Sequence, residues 1–303
     1  MGSESSVLND KEINEINSWI SGIIHEVTFW QYYLKDKKHK DTINNNDIHN
    51  GSAYGQVYLT DEQINSVFKE TNNNTVLDVG CGMVYSNIAM YRSENIDFHF
   101  VDPLAFTYNL LAKKSKLNVP EIEFGFIEYL SMAYECDSTA LIIINNALDH
   151  CFNPFAGVVQ CLKVLKKYGV LYLCHVNNEA ERNNYAGFHQ FNICTENGCL
   201  VFWNKSEHIN VTDMLRNIAA VDTYDHDGNC IAVIKKINPV DDCFIHDSNL
   251  LCRQLMYATL LLSYGNLNFT KYFKRIVLYI SVRMNRGIAR KVKALIKRVL
   301  RKT

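Results

Sequence analysis

The chain has 303 residues, of which 48% are hydrophobic and 21% charged, with 14 glycines and four prolines. These values exclude a disordered, collagen-like or low-complexity protein, and the length allows a large domain with its own core. The formal net charge is −1, but 12 of the 31 lysines and arginines lie in residues 271–303, a stretch without Asp or Glu. The preceding part is therefore acidic, which argues against nucleic acid lying across it.

Ten cysteines are scattered along the chain without a CxxC pair, so a zinc ribbon has no ligand spacing here. We expect reduced thiols. No run of about eighteen apolar residues predicts a membrane span, and the first residues lack the basic and apolar regions of a signal peptide. A cytoplasmic protein is expected.

The first predicted element is an amphipathic helix from about Asp10 to Lys38, because apolar residues recur there at helical spacing. The polar stretch from Asp41 is interpreted as a loop. Thr60 precedes two acidic residues, so we expect it to be the N-cap of a second, short helix.

From Thr75 onward, short apolar runs alternate with stretches of helical character. The runs are TVLDV, FHFV, ALIII and GVLYLC. This alternation predicts βαβ units and an α/β fold with a parallel sheet. The later runs CLVFW and CIAVIKKI are expected to add edge strands.

The motif VLDVGCG, which ends at Gly82, places a glycine-rich turn between a strand and a helix. Such a turn lets a nucleotide-like ligand approach the backbone. Asp102, in FHFVDP, ends the second strand, where a carboxylate can accept hydrogen bonds from both ribose hydroxyls of an adenosine. This fits NAD and S-adenosylmethionine alike. The third glycine of the dinucleotide fingerprint is absent, because Tyr85 stands there.

In their order, VLDVGCG, VDP, IINNALDH and VLKKYGVLYL resemble the motifs of class I S-adenosylmethionine-dependent methyltransferases over residues 75–176. The resemblance implies a Rossmann-like, seven-stranded, mostly parallel sheet with helices on both faces, an N-terminal helical lid, and S-adenosylmethionine as the cofactor. The implied cofactor residues are Asp78, Gly80 and Gly82 at the methionine end, Asp102 at the ribose, and Phe126, Ile127 and Glu128 at the adenine edge, with Cys81, Pro103 and Asn146 completing the set.

A longer stretch, which includes NALDHCFNP and HVNNEAERNNYAGFHQFN, resembles a narrower group of bacterial methyltransferases associated with surface-polysaccharide clusters. Some members of that group act on sugars, and others methylate a phosphoramidate group of the capsule. The resemblance implies O-methylation of a sugar, a phosphoramidate or another small precursor in capsule or surface-polysaccharide biosynthesis. In that group a helix similar to INSWISGIIHEVTFWQYYLK covers the site, which would bring His25 and Glu26 near the acceptor.

Histidines and carboxylates follow the predicted fourth and fifth strands. They are Asp149, His150, His175, Glu179 and His189. An oxygen acceptor benefits from a base that removes its proton, so we hypothesise that His150 or His189 is the general base, with Asp149 and His175 orienting or polarising the acceptor. No ligand spacing such as HxxxH occurs, and no resident metal is expected. A divalent metal on the same residues is the alternative.

We divide the chain into an N-terminal helical lid and loop (1–59), a methyltransferase domain (60–240) and a C-terminal helical region (241–303). That region ends in a basic amphipathic helix, which either packs on the acidic body or contacts an anionic membrane surface. The expected partner is a small-molecule or glycan-precursor acceptor, with no nucleic acid. A nicotinamide-dependent sugar oxidoreductase and a non-catalytic cofactor-binding subunit are the alternative functions.

Overall fold

The structure is a computed structural model, which describes residues 10–44, 57–84, 86 and 96–240. The predicted C-terminal region, 241–303, and its basic helix lie outside the described residues. The helices are α1 (Asp10–Tyr33), α2 (Lys37–Asn44), α3 (Asp61–Thr71), α4 (Ala105–Ser115), α5 (Leu130–Ala133), α6 (Pro154–Val164), α7 (Glu179–Arg182) and α8 (Val211–Leu215). The strands are β1 (Thr75–Val79), β2 (Asp97–Asp102), β3 (Glu123–Phe124), β4 (Thr139–Asn145), β5 (Leu165–Val176), β6 (Asn192–Glu196), β7 (Cys199–Trp203), β8 (His208–Asn210), β9 (Ala219–His226) and β10 (Asn229–Lys236).

Seven strands form one sheet in the order β3–β2–β1–β4–β5–β10–β9. Neighbouring strands from β3 to β5 are parallel, and β10 runs antiparallel to both β5 and β9. The predicted α/β, Rossmann-like fold with a mostly parallel seven-stranded sheet is confirmed. The strand order reverses between β1 and β4, and in such sheets ligands bind at the carboxyl ends of the strands beside this switch point.

Two predicted edge strands lie elsewhere. CLVFW is β7, which pairs with β6 and β8 in a separate three-stranded antiparallel sheet. CIAVIKKI lies in β10, an internal strand, and the edge is β9. The expectation was wrong because an apolar run indicates burial and not a strand partner: Leu200 and Phe202 of β7 are buried by side-chain packing in the core cluster that also contains Ala232 of β10.

The N-terminal region differs from the predicted single helix. α1 ends at Tyr33, and α2 begins at Lys37 and continues into the stretch predicted as a loop. Asp36 accounts for the break, because its Oδ1 accepts the backbone N–H of Lys38 at 2.8 Å, a side-chain contact typical of helix starts. The predicted N-cap at Thr60 is confirmed, since its Oγ1 accepts the N–H of Gln63 at 3.2 Å in a capping box.

Apolar side chains fill both faces of the sheet. One cluster contains Ile142, Ile144 and residues of α6, and another, on the opposite side of the strands, contains Leu141 and Ile143 with residues of α3. A further cluster joins α1 to the turn after β1 and to α4. No helix in the described part of the chain is both long and apolar enough to cross a membrane.

Candidate functional site

The turn after β1 contains two glycines in the left-handed backbone conformation, Gly80 at φ +71° and Gly82 at φ +58°. Gly80 donates its N–H to the carbonyl of Val101 in β2 at 2.7 Å. A Cβ placed at Gly80 would lie only 2.5 Å from the Cβ of Ala147, in the segment after β4. The turn is therefore held at the switch point of the sheet, with no room for a larger residue at position 80.

Asp102, at the carboxyl end of β2, is 6% exposed. Its Oδ2 accepts the N–H of Gly82 at 3.0 Å, and its Oδ1 accepts the N–H of Leu104 at 2.7 Å. Burial raises the pKa of Asp102 to about 7, against these hydrogen bonds, and the charges of Glu26 and Asp78 add to the increase. Each carboxylate oxygen keeps a second lone pair, so two neighbouring ribose hydroxyls would match the open acceptors.

Asp78 near the end of β1 anchors the chain that leaves the glycine turn. It is 1% exposed, and its Oδ2 accepts the N–H of Ser86 at 2.7 Å. Burial raises the pKa of Asp78 to about 6. Cys81 is buried in the turn, and this burial raises the pKa of its thiol, which therefore stays protonated. Pro103, half-buried, follows Asp102.

The residues predicted for the adenine edge follow β3. Phe126 is 2% exposed and lies in the cluster that includes α1. Ile127 packs against Gly157 of α6, where an added Cβ would lie 3.1 Å from it. Glu128 accepts the N–H of Phe152 on Oε1 at 3.0 Å, and burial raises its pKa to about 7. Ile127 and Glu128 thus have structural partners within the fold, and their contact with an adenine stays a prediction.

Aromatic side chains cover this edge of the sheet. Trp19 of α1 has its ring centroid 5.9 Å from that of Phe126, 5.8 Å from Phe152 and 4.8 Å from Phe188. The Phe188 ring in turn lies 5.5 Å from that of His150. The aromatic group therefore extends from the predicted adenine edge to the predicted catalytic residues.

The 3₁₀ turn after β4 carries Asp149 and His150, and the loop after α7 places His189 beside them. Asp149 Oδ2 lies 2.6 Å from His189 Nδ1 and 3.8 Å from His150 Nε2. The centroids of the two imidazole rings are 4.7 Å apart. The Asp149 side chain is 1% exposed, whereas those of His150 and His189 are 26% and 21% exposed. A buried carboxylate thus faces two imidazoles that a ligand can reach.

The electrostatics of this cluster favour an ionised Asp149. Burial alone would raise its pKa, but attraction to His150 and the hydrogen bond with His189 outweigh burial, and the pKa lies below its ordinary value. Burial lowers the pKa of His189, yet the hydrogen bond to Asp149 raises it more, so the net shift is upward. When Nδ1 of His189 donates to Asp149, Nε2 is left to accept a proton from a bound molecule.

His175, on β5, is held in one tautomer. Its Nε2 accepts the backbone N–H of Leu148 at 3.0 Å, so the ring proton is on Nδ1, which lies 3.8 Å from Asp149 Oδ1. Burial lowers the pKa of His175 to about 4. The ring is therefore neutral at pH 7, and its contacts position Asp149 and the turn rather than the acceptor.

Glu179, the first residue of α7, is 8% exposed, and its Oε2 is buried without a hydrogen-bond partner in the described part of the chain. Burial and the charge of Asp149 raise its pKa. Asn146 accepts the N–H of Val176 on Oδ1 at 3.1 Å and so joins the ends of β4 and β5. The structure thus gathers all the predicted catalytic residues at one sheet edge.

Sequence reasoning missed Asn145. Both polar atoms of its side-chain amide are buried without a partner among the described residues. Its only signal was its place at the end of a predicted strand, which it shares with Asn146.

Glu26 of α1 is half-buried and accepts hydrogen bonds from Trp30 Nε1 at 2.7 Å and Tyr108 Oη at 3.3 Å. Its charge raises the pKa of both Asp102 and His189, so Glu26 lies within electrostatic reach of both predicted subsites.

No known protein family matches the chain, and no curated protein sequence matches it. Among solved structures, the chain is similar to the CurJ carbon methyltransferase, with 13% identity over 55% of this chain and 49% of that one and a TM-score of 0.38. It is also similar to an S-adenosylmethionine-dependent methyltransferase from Thermotoga maritima (14% identity, 57% and 88% of the chains, TM-score 0.37). A third is a 16S rRNA N2 G1207 methyltransferase, RsmC, from T. thermophilus (10% identity, 56% and 36%, TM-score 0.34). These likenesses are too distant to identify a substrate.

Proposed function

We propose that this chain transfers a methyl group from S-adenosylmethionine to an oxygen of a sugar, a phosphoramidate or another small precursor of bacterial surface polysaccharide. The observation that carries the proposal is the junction at Ala147. The glycine turn with its ribose-type acceptor, Asp102, packs directly against the segment that carries Asp149 and His150. A nucleoside cofactor and an acceptor would therefore meet at one edge of the sheet.

The charge of the site supports a cationic cofactor. The groups that act most strongly on Asp102 are two backbone N–H groups and the carboxylates of Glu26 and Asp78. The two carboxylates attract a sulfonium and an ammonium group and repel the diphosphate of a nicotinamide dinucleotide. This favours S-adenosylmethionine over the nicotinamide alternative.

The cofactor supplies a methyl group on a positively charged sulfur, from which an acceptor oxygen takes it in line with the carbon–sulfur bond. His189 would accept the proton of the acceptor hydroxyl at Nε2, while Asp149 stabilises the resulting imidazolium through Nδ1. Asp102 would hold the ribose, and Trp19 with Phe188 would exclude water. The choice of a polysaccharide precursor rests on the sequence resemblance over the segment that ends near His189.

Calorimetric titration of the purified protein with S-adenosylmethionine, S-adenosylhomocysteine and NADPH tests the cofactor. We expect the first two to bind. Binding of NADPH alone would refute the proposal in favour of an oxidoreductase.

Formation of S-adenosylhomocysteine in the presence of sugar nucleotides and phosphoramidate precursors tests the reaction. His189→Ala should lose turnover by on the order of 100-fold or more, as expected for removal of a general base. His208→Ala is the matched control, because His208 is an exposed histidine 3.1 Å from Glu196 in the separate sheet. Full activity in both His150→Ala and His189→Ala would refute the base assignment, and absence of turnover with bound cofactor would favour a non-catalytic subunit.

A further inference from the structure

The Asp149 cluster contains more buried polar atoms than one hydrogen-bonded pair explains. Asp149 Oδ1, His150 Nε2 and Glu179 Oε2 are all buried without a hydrogen-bond partner in the described part of the chain. Polar groups that are buried in a protein are almost always paired. Several unpaired atoms around one carboxylate therefore indicate a polar partner that binds among them.

The three side chains nearest this point have the reach of metal ligands. One ligand atom from each of Asp149, His150 and His189 lies within 4.8 Å of the others. Bonds of about 2.0–2.2 Å from nitrogen and oxygen to one ion place ligand atoms roughly 3–4 Å apart. The 3.8 Å between Asp149 Oδ2 and His150 Nε2 falls in this range, and the 2.6 Å between Asp149 Oδ2 and His189 Nδ1 is slightly shorter. Small side-chain movements would seat an ion.

We propose that Asp149, His150 and His189 bind a divalent first-row transition-metal ion. Two imidazoles and one carboxylate suit iron, zinc, cobalt or manganese, and three protein ligands leave coordination positions open to an acceptor. The partial exposure of both imidazoles provides the side from which an acceptor would approach. The role of the cation in positioning the acceptor oxygen rests on the function proposed above, whereas binding of the cation does not.

His175 is not a ligand in this arrangement, because its Nε2 is occupied by the Leu148 N–H and its Nδ1 carries the proton. It belongs instead to the outer layer of the site. Its Nδ1–H lies 3.8 Å from Asp149 Oδ1, where a small movement would make a hydrogen bond that orients the carboxylate. Partners of this kind fix the geometry of metal ligands and strengthen binding.

A cation bound to His189 Nδ1 would use the same lone pair as the proton on that nitrogen, so the two exclude each other. Without a cation, that proton lies between His189 and Asp149, and Nε2 is the free nitrogen. With a cation, Nδ1 is a ligand, and the ion rather than His189 polarises the acceptor hydroxyl. Methyl transfer is the proposed reaction in both cases, and metal binding decides whether the ion or His189 acts on the acceptor.

The test is a titration of the full chain with Co²⁺, after chelator treatment and desalting, followed by visible absorption. We expect one Co²⁺ per chain in the wild type. Binding should weaken by more than about 100-fold in His150→Ala and in His189→Ala, because loss of an outer-layer partner alone costs about 10–100-fold. Both residues are partly exposed, so the variants should fold, which circular dichroism checks. His208→Ala should bind Co²⁺ as the wild type does.

Failure of this inference is separable from failure of the proposed function, because cofactor binding is measured on the same metal-free protein. Saturable Co²⁺ binding that persists in both variants, or none in the wild type, overturns the metal site even if S-adenosylmethionine binds. Co²⁺ binding that depends on His150 and His189 without any S-adenosylmethionine binding supports the metal site and refutes the methyltransferase proposal.

Discussion

Asp102 makes cofactor binding dependent on pH in a direction that the structure fixes. Burial raises its pKa in the ligand-free protein to about 7. Ribose hydroxyls donate to the ionised carboxylate and would lower that pKa on binding. S-adenosylmethionine should therefore bind the ionised form and expel a proton wherever Asp102 is still protonated.

The size of the effect follows from the free pKa. About half of Asp102 is ionised at pH 7 and about one tenth at pH 6, so affinity should fall about fivefold from pH 7 to pH 6 and change little above pH 8. Near pH 6 binding should release ~1 proton, and near pH 8 almost none. Asp102→Asn presents a donor toward one of the two backbone N–H groups, of Gly82 or Leu104, and loses the charged acceptor, which should weaken binding at pH 8 by on the order of 100-fold.

Calorimetry in pairs of buffers with different ionisation enthalpies measures both the affinity and the protons released. Asp102→Asn also separates Asp102 from Asp78, whose pKa of about 6 lies close by. A pH-independent wild-type affinity between pH 6 and 8, or the same slope in Asp102→Asn, would refute the assignment of Asp102.

A rise in pH should strengthen cofactor binding but lower the stability of the ligand-free protein. The folded pKa of Asp102, about 7, lies above its ordinary value of 3.8, so the ligand-free folded state holds more protons between these pH values. The free energy of unfolding should therefore fall as pH rises from 4 to 7, by at most about 4 kcal/mol from this residue. Urea denaturation should show a smaller decline in Asp102→Asn, and an equal decline would contradict the burial argument.

Two further predictions concern the framework of the site. Gly80→Ala should lower the free energy of unfolding more than Gly198→Ala, because both have positive φ (+71° and +77°) but only Gly80 has a side chain, that of Ala147, within 4 Å; equal losses in urea denaturation would show that close packing is unimportant. His175→Ala should cost about 1–3 kcal/mol by leaving the buried N–H of Leu148 unpaired. His175→Gln, whose amide oxygen can accept that hydrogen bond, should recover part of the loss, and no difference between the two variants would count against the hydrogen bond.

The central strands were predictable because their signal is local. β1, β2, β4 and β5 each contain the apolar run that predicted them, and the runs in β1, β4 and β5 are buried, as expected for strands covered on both faces. Which strands a later strand pairs with cannot be predicted from its own residues. β7 carries the apolar run CLVFW, but its place in the separate sheet depends on β6 and β8, whose residues show no comparable signal. The same limit applies to α2, at whose start the side chain of Asp36 accepts a hydrogen bond from the N–H of Lys38.

The site was predictable where each of its parts lies within a short local motif. The glycine turn and the strand-end carboxylate follow from VLDVGCG and VDP. The Asp149 cluster is different, because the loop after α7 brings His189 to Asp149. No ligand spacing in the sequence predicts this contact. The effect of Glu26 on the pKa of Asp102 likewise could not be predicted, because it depends on the packing of α1 against the turn.

For the proposed methyl transfer, the buried carboxylates beside the glycine turn also give a reason for product release. Asp78 and Asp102 are buried with backbone N–H donors as their hydrogen-bond partners, and each has a raised pKa. A sulfonium ion near them would be attracted, and this attraction is stronger where the carboxylates are buried. After methyl transfer the sulfur is neutral, so the product loses this attraction while it keeps the ribose contacts. The same charges that favour binding of the methyl donor would therefore favour its departure once the methyl group has gone.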